Sequence, residues 1–433
     1  MNKRSISLIL IIVFSLCIVL NKAQPSLALS TDQTDALNAY YKILSSFEWE
    51  SGKPVYPDDY GGEYIDGSLL YVWIVHKNPM NQWKYEKLCE GSEYVRFLDA
   101  AYSLNELERL AEELMVSGKD YNISGHYVDR VNNKLCMCVA PNGGEFNETA
   151  YAELTYCETV EALTNLWKEN AERVVFREQD WLNIADSDDQ TIIDESASIN
   201  LRDTIELIGG TTLYAKAPVV GASPNPGTLG FCGTCTMNGV PYDAILTAGH
   251  VITEAKDPAS STVNVYNVSV SNDNKYAESW LYKSGGIDES GISGDNIGDY
   301  AICKKQLNSY DLTNKVKYST GTVSIAGSTM QGWLPVGTYV SCYGGISGYH
   351  LGTVSALNIG GLADGIYMTG LVSVNMPGIV DGDSGGPVYS YIQVGNQAYG
   401  YNAQGTIAGY TSLNMLYSPI SYPIARGFSV ATS

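Results

Sequence analysis

From residue 207 to the C-terminus, no stretch of the sequence runs long without a break. Short runs rich in β-branched and aromatic residues alternate with clusters of Gly, Asn, Ser and Asp. Examples are Leu213-Tyr214, Ala244-Ile245-Leu246, Val263 to Val270, Tyr300-Ala301-Ile302, Thr338 to Ser341 and Gly405 to Ala408. Helical spacing is absent until Tyr417 to Phe428, which reads as a terminal helix. Many short strands bounded by turn residues predict an all-β sandwich or barrel.

Residues 31–182 read differently. Gly62-Glu63-Tyr64-Ile65-Asp66 precedes Leu69 to Val75, and Gly125-His126-Tyr127-Val128-Asp129 precedes Leu135 to Val139. Each is a strand, a turn and a second strand. Tyr94 to Phe97 leads into a helical stretch, Leu104 to Met115, and the helical stretch Thr159 to Asn170 leads into Arg173 to Arg177. Leu107, Leu110, Ala111 and Leu114 make one apolar helix face. The expectation is α+β structure, in two tandem units.

Charge divides the chain at the same place. Residues 1–206 hold 34 Asp and Glu against 17 Lys and Arg; residues 207–433 hold 13 against 9. The net charge of −21 argues against nucleic acid or an anionic membrane as partner. Asp186, Asp188, Asp189, Asp194 and Glu195 mark residues 183–206 as an exposed acidic linker, a natural place for an activating cleavage. Lys3 and Arg4 followed by the apolar Ile6 to Leu20 read as a signal peptide within residues 1–30, so secretion is expected, with no stable membrane insertion after its removal. Cleavage could fall near Ala23, Ala28 or Ser30.

Eight cysteines follow the signal, and an exported chain permits disulfides. Cys232 and Cys235 have metal-ligand spacing, but no second pair completes a zinc site; a local bridge or two free thiols is the expectation. No cofactor or metal is expected.

Three side chains carry the chemistry. His250 follows the apolar run ending Leu246-Thr247-Ala248-Gly249. Ser384 sits in Gly382-Asp383-Ser384-Gly385-Gly386-Pro387, where the glycines allow the amides of Gly382 and Ser384 to converge as an oxyanion hole. Asp299 lies between them and begins the strand Tyr300-Ala301-Ile302; Asp295 is its competitor. A serine hydroxyl becomes a nucleophile when an imidazole takes its proton and a buried carboxylate orients that imidazole.

In this order and with these flanks, residues 207–433 resemble the chymotrypsin-like serine peptidases, in their secreted bacterial streptogrisin and α-lytic branch. Four further segments carry the resemblance: Leu207-Ile208-Gly209-Gly210, Gly227 to Phe231, Cys342 to Val354, and Tyr417 to Phe428. It implies two six-stranded barrels, with His250, Asp299 and Ser384 in the cleft between them. It also implies that residues 31–206 are a pro-region that aids folding or inhibits the enzyme. Polypeptide substrates are implied, paired along Ala408, Gly409 and Tyr410. Tyr410 stands where a glycine is common, and Gly378 lies near the pocket floor; a small or neutral residue before the scissile bond is the expectation. A monomer is expected.

The departures from that family have consequences. Leu351 stands where the partner of Cys342 would be, so other pairings are needed, Cys303 with Cys342 for instance. Tyr343 replaces the arginine that pairs with the aspartate before the serine. A buried Asp383 without a cation is costly. Cleavage between Glu206 and Leu207 would supply an α-ammonium for it. The alternatives to a secreted endopeptidase are a non-catalytic binding or adhesion protein on a peptidase scaffold and an esterase-like hydrolase.

Overall fold

A computed structural model of the chain describes residues 33–433. Excepted are 119–120, 141–153, 180–204, 220, 257–259, 261, 268–274, 293–295, 308, 329–331, 364–365 and 393–399. The signal peptide, most of the acidic linker and Asp295 lie outside the described residues.

The N-terminal part contains two units with one order of elements. The first has helix α1 (Thr34–Leu44), a small ribbon β1 (Glu48–Glu50) and β2 (Lys53–Val55), hairpin β3 (Tyr60–Asp66) and β4 (Leu69–Val75), helix α2 (Pro79–Leu88), and β5 (Val95–Ala100). The second has α3 (Leu104–Ser117), hairpin β6 (Ile123–Asp129) and β7 (Lys134–Val139), α4 (Tyr156–Leu166) and β8 (Val174–Glu178). In each unit the last strand pairs in parallel with the second strand of the hairpin. The helix read from Leu104 therefore opens the second unit rather than closing the first. Its N-terminus is capped by Ser103 Oγ, which accepts from the Glu106 N–H at 3.1 Å, and Leu104, Leu107, Leu110, Ala111 and Leu114 are all buried. A buried ion pair, Arg130 with Glu63, ties the second unit to the first. Tyr60 donates to the same carboxylate at 2.6 Å, and Tyr56 accepts from Arg130 at 3.0 Å.

The all-β architecture expected of residues 207–433 is the one found. After β9 (Ile205–Gly209) the first curved sheet is built from β10 (Thr212–Lys216), β11 (Asn225–Thr228), β12 (Cys232–Met237), β13 (Val240–Thr247), β14 (Asn264–Asn267), β15 (Lys275–Ser284), the small β16 (Ile287–Asp288) and β17 (Gly291–Ile292), and β18 (Asp299–Lys305). Helix α5 (Gly249–Glu254) follows β13. The order across the sheet is β10-β14-β15-β18-β13-β12, with β11 flanking β10.

Strands β19 (Tyr310–Tyr318) and β20 (Gly321–Gly327) cross to the second barrel. This is made of β21 (Tyr339–Gly344), β22 (Gly348–Ala363), β23 (Ile366–Asn375), β24 (Pro387–Ile392), β25 (Gly400–Tyr410) and β26 (Asn414–Pro419). Its pairings close a ring, β21-β22-β23-β26-β25-β24-β21. Counted within each barrel, both sheets follow the same strand order. Helix α6 (Ser421–Ala425) and β27 (Phe428–Val430) end the chain. The expected terminal helix is thus only one turn: Tyr417 to Pro419 belong to β26, where Tyr417 is buried in the barrel.

The second N-terminal unit is joined to this barrel edge to edge. β6 pairs antiparallel with β22 through His126↔Gly360 and Gly125↔Gly361. Tyr127, Cys136 and Cys138 then bury against Ala356, Ile359, Met368, Leu371, Ala408 and Leu416. The first unit grips the segment before β21. Trp333, fully buried, donates through its indole to Gly52 O and Ser421 Oγ, both at 3.1 Å, while its carbonyl accepts from Tyr40 Oη at 2.8 Å.

All eight cysteines among the described residues are unpaired. Cys303 lies in the core of the first barrel and Cys342 in that of the second, so the suggested bridge does not form. Cys232 and Cys235 face opposite sides of β12 into different cores, which excludes the local bridge as well.

Candidate active site

β13 runs out at Thr247, and Ala248 remains extended before α5 begins at Gly249. His250 is therefore the second residue of a short helix on a strand end. A side chain at position 249 would strike the Lys283 carbonyl and Asp299 Oδ1, so only glycine lets the turn sit this close to β15 and β18.

Asp299 is the first residue of β18, paired with Ser284 of β15. Its carboxylate receives the His250 ring and main chain together. Nδ1 lies 2.7 Å from Oδ2, and the His250 N–H donates to Oδ1 at 2.9 Å. The Asp299 N–H donates to Ser418 Oγ at 3.0 Å, which anchors the strand end to the second barrel. With Oδ2 as acceptor, the Nδ1 site carries the proton and Nε2 is the basic nitrogen of the neutral ring.

Ser384 is placed by its glycines. Gly382 and Gly385 have φ of +85° and +87°, left-handed values that a side chain disfavours. The turn between them is bonded to both barrels. Ser384 O accepts from Thr228 N at 2.7 Å, Gly382 O from Thr228 Oγ1 at 2.8 Å, and Gly385 N donates to Ile407 O at 2.8 Å. Thr228 Oγ1 also accepts from Gly345 N, and Thr228 O from Thr247 Oγ1, at 2.9 and 2.8 Å. One buried threonine of β11 thus links the serine turn, the end of the histidine strand and the β21–β22 hairpin. Only its place in the run Gly227 to Phe231 pointed to it in the sequence. A side chain at position 385 would meet Thr247 Oγ1 and Ala248 N, so the serine turn packs directly on the strand end that leads to His250. His250, Asp299 and Ser384 are each 0 % exposed in the full-length chain.

The ammonium expected for Asp383 belongs to a cleaved chain; in the uncleaved one its fully buried carboxylate is satisfied by other donors. Oδ1 accepts from the N–H groups of Ile346 and Ser347, both at 2.9 Å, and Oδ2 from Val380 N–H at 3.0 Å. Three main-chain donors do the work assigned to a cation. Gly344 makes room for them, since a side chain there would overlap the carboxylate. The bond between Glu206 and Leu207 lies inside β9, whose register with β19 pairs Glu206 with Asp311 and Leu207 with Leu312. Leu207 is buried, and Glu206 pairs with Lys315 at 2.8 Å.

The expected substrate strand is the end of β25. Ala408 is buried, and β25 shifts register against β26 between Ile407 and Gly409. Gly378 has φ +95°, with the ring of His350 packed over it. His350 Nε2 is 2.9 Å from Ser347 Oγ.

Comparison with known proteins adds two findings. A family model described as a Pro-like N-terminal domain matches residues 26–95. Among solved structures the chain is similar to Thermobifida fusca Protease A, at 21% identity over 53% of this chain and 100% of that one, with a TM-score of 0.37. It is similar to Nocardiopsis Protease at 20% identity over 52% and 100%, with a TM-score of 0.36. An α-lytic protease homolog, N4, matches at 17% identity over 52% and 98%, with a TM-score of 0.37. Among curated proteins none matches the sequence.

Proposed function

We propose that this chain, a chymotrypsin-like double barrel behind a Pro-like N-terminal domain, is a secreted serine endopeptidase made as a latent precursor. The observation that carries the reading is the dry pair of His250 Nδ1 and Asp299 Oδ2 at 2.7 Å, with the glycine-framed Ser384 turn packed on the same strand end. Ser384 Oγ attacks the scissile carbonyl while His250 Nε2 takes its proton. Asp299 keeps the imidazole in the tautomer that leaves Nε2 basic, and stabilises the imidazolium. The amides of Gly382 and Ser384 hold the oxyanion, each worth roughly 3–4 kcal/mol in the transition state. His250 then returns the proton to the leaving amine, and water releases the acyl group by the same route. Ala408 to Tyr410 receive the substrate as an added strand.

Latency is read from the docking of the second N-terminal unit, whose Tyr127, Cys136 and Cys138 share one buried cluster with Ala408 of the strand assigned to substrate. Residues 31–204 act as the pro-region, which holds the second barrel through β6 and through Trp333. Because the 206–207 bond is inside a strand, the maturation cleavage belongs upstream of Ile205, revising the boundary drawn from the sequence. The test is labelling with a fluorophosphonate, read by peptide mapping. An adduct on Ser384 in the processed form, absent from the precursor and from S384A, is the expected result. A folded, processed protein without an adduct would sink the catalytic assignment.

A further inference from the structure

A cavity of about 380 Å³ lies where both N-terminal units meet the C-terminal half. Lys53 of β2 lines it from the first unit, and Glu108, Glu112 and Met115 of α3 from the second. Ile297, Asn358 and Tyr367 line it from the C-terminal half. Its volume falls in the range of small-molecule sites, about 300–1,000 Å³. Three parts of the chain supply the wall, so the cavity exists while the N-terminal units are docked and not otherwise.

Its polar groups are unevenly matched. Lys53 Nζ lies 3.0 Å from Glu108 Oε2. The other carboxylate oxygen, Oε1, is buried with no hydrogen-bond donor among the described residues. A buried acceptor left without a donor is costly. Glu112 lies one turn further along α3 on the same face. Burial pushes His126, also in the wall, down to about 4, so its ring is neutral near pH 7. One lysine against two carboxylates leaves the described lining one negative charge in excess. Met115, Val128 and Ile297 add an apolar stretch. Asn358 has φ +53°, a left-handed value, where β22 shifts register against β23 between Ala356 and Ile359. Backbone of this kind gathers at ligand sites.

We propose that this cavity binds a primary aliphatic amine, whose ammonium donates to Glu108 Oε1 and whose short hydrocarbon chain lies against Met115, Val128 and Ile297. The ammonium supplies the donor that Oε1 lacks and cancels the excess charge. A carboxylate would add to that excess. A ligand held by all three walls favours the docked chain over the undocked one. Here the inference rests on the peptidase reading: the amine is a brake on release of the C-terminal half.

The experiment is calorimetric titration of the full-length S384A chain with pentylamine, pentanol and pentanoate at neutral pH. The amine should bind at one site, and the alcohol and carboxylate roughly tenfold more weakly or not at all. Glu108→Gln should cost the amine a similar factor. Ala111→Met fills the cavity but keeps the carboxylate, and should abolish binding. Equal binding of the three probes, or no binding to a chain that melts cooperatively, overturns the site. So does amine binding that both variants leave unchanged. In the wild-type chain, pentylamine at ten times its Kd should slow the appearance of fluorophosphonate-labelled Ser384 by up to about elevenfold. Ala111→Met should process at one rate with and without amine. An unchanged wild-type rate despite binding overturns the brake. Absence of label at all times removes the peptidase reading instead, and the site then stands or falls on the calorimetry.

Discussion

At the scale of single residues, the site depends on main-chain donors and acceptors as much as on its three catalytic candidates. Thr228 illustrates this. Its N–H and hydroxyl hold the two carbonyls that frame the serine turn, and its hydroxyl also receives an amide from the hairpin. Thr228→Val keeps the shape but deprives Gly382 O and Gly345 N of their partner in a buried place. Unsatisfied buried groups cost about 1–3 kcal/mol each. The expected outcome is a lower urea midpoint for S384A/T228V than for S384A, and a drop in kcat for T228V that exceeds any change in KM. An unchanged kcat would mean that the turn holds its form without Thr228. The three catalytic candidates were legible because histidine, aspartate and serine are rare chemistry in recognisable turns. The cradle of Asp383 was not. It is made of the N–H groups of Ile346, Ser347 and Val380, and a main-chain donor looks the same in every residue.

At the scale of elements, strand positions could be read from turn residues, but partners could not. β6 and β22 lie more than two hundred residues apart, and no local pattern announces that Gly125 will meet Gly361. Tyr417 to Pro419 misled for a related reason: an apolar run near a chain end suits a helix or a buried strand equally, and the closing of the barrel decided it. The β6–β22 contact carries a pH dependence. His126 Nε2 is 2.7 Å from Tyr367 Oη, in an interface where burial pushes the imidazole down to about 4 from its ordinary 6.5. Glu108 opposes that shift and Lys53 adds to it; both line the adjoining cavity of about 380 Å³, with Glu112 near Tyr367. A depressed value means that the docked state resists protonation. The contribution is complete above about pH 6.5 and is lost as pH falls toward 4, by up to about 3 kcal/mol. Hydrogen exchange of β6 and β22 in the S384A precursor, corrected for intrinsic rates, should lose protection between pH 7.5 and 5. His126→Gln should flatten that loss; an equal loss in the variant would place the pH response elsewhere.

At the scale of the whole molecule, the N-terminal units and the second barrel share one hydrophobic core, which Phe231, Ala244, Leu246 and Ile302 of the first barrel also join, while Leu213, Ile245, Ala301 and Cys303 lie in a second core. The proposed processing would therefore part a core, not a hinge. Trp333 is the clearest marker, buried between Gly52 and Ser421 in the precursor. N-terminal sequencing of the processed enzyme should find a start at or before Ile205, so that β9 survives intact; a start at Leu207 would contradict this. Trp333→Ala should weaken the hold of the N-terminal units, read as earlier labelling of Ser384 during processing than in wild type.

Under the proposed processing, the two-rung seam at Gly360 and Gly361 has a consequence for the freed C-terminal half. Losing the N-terminal half removes most of the negative charge, since residues 207–433 hold 13 acidic groups against 9 basic ones. The same event bares a strand edge with no side chains at two successive positions. Colloidal repulsion falls just as a sticky border opens, and unprotected edges of this kind recruit other strands. The freed C-terminal half, at high concentration, would thus be the form most exposed to self-association, and the uncleaved chain the form suited to storage.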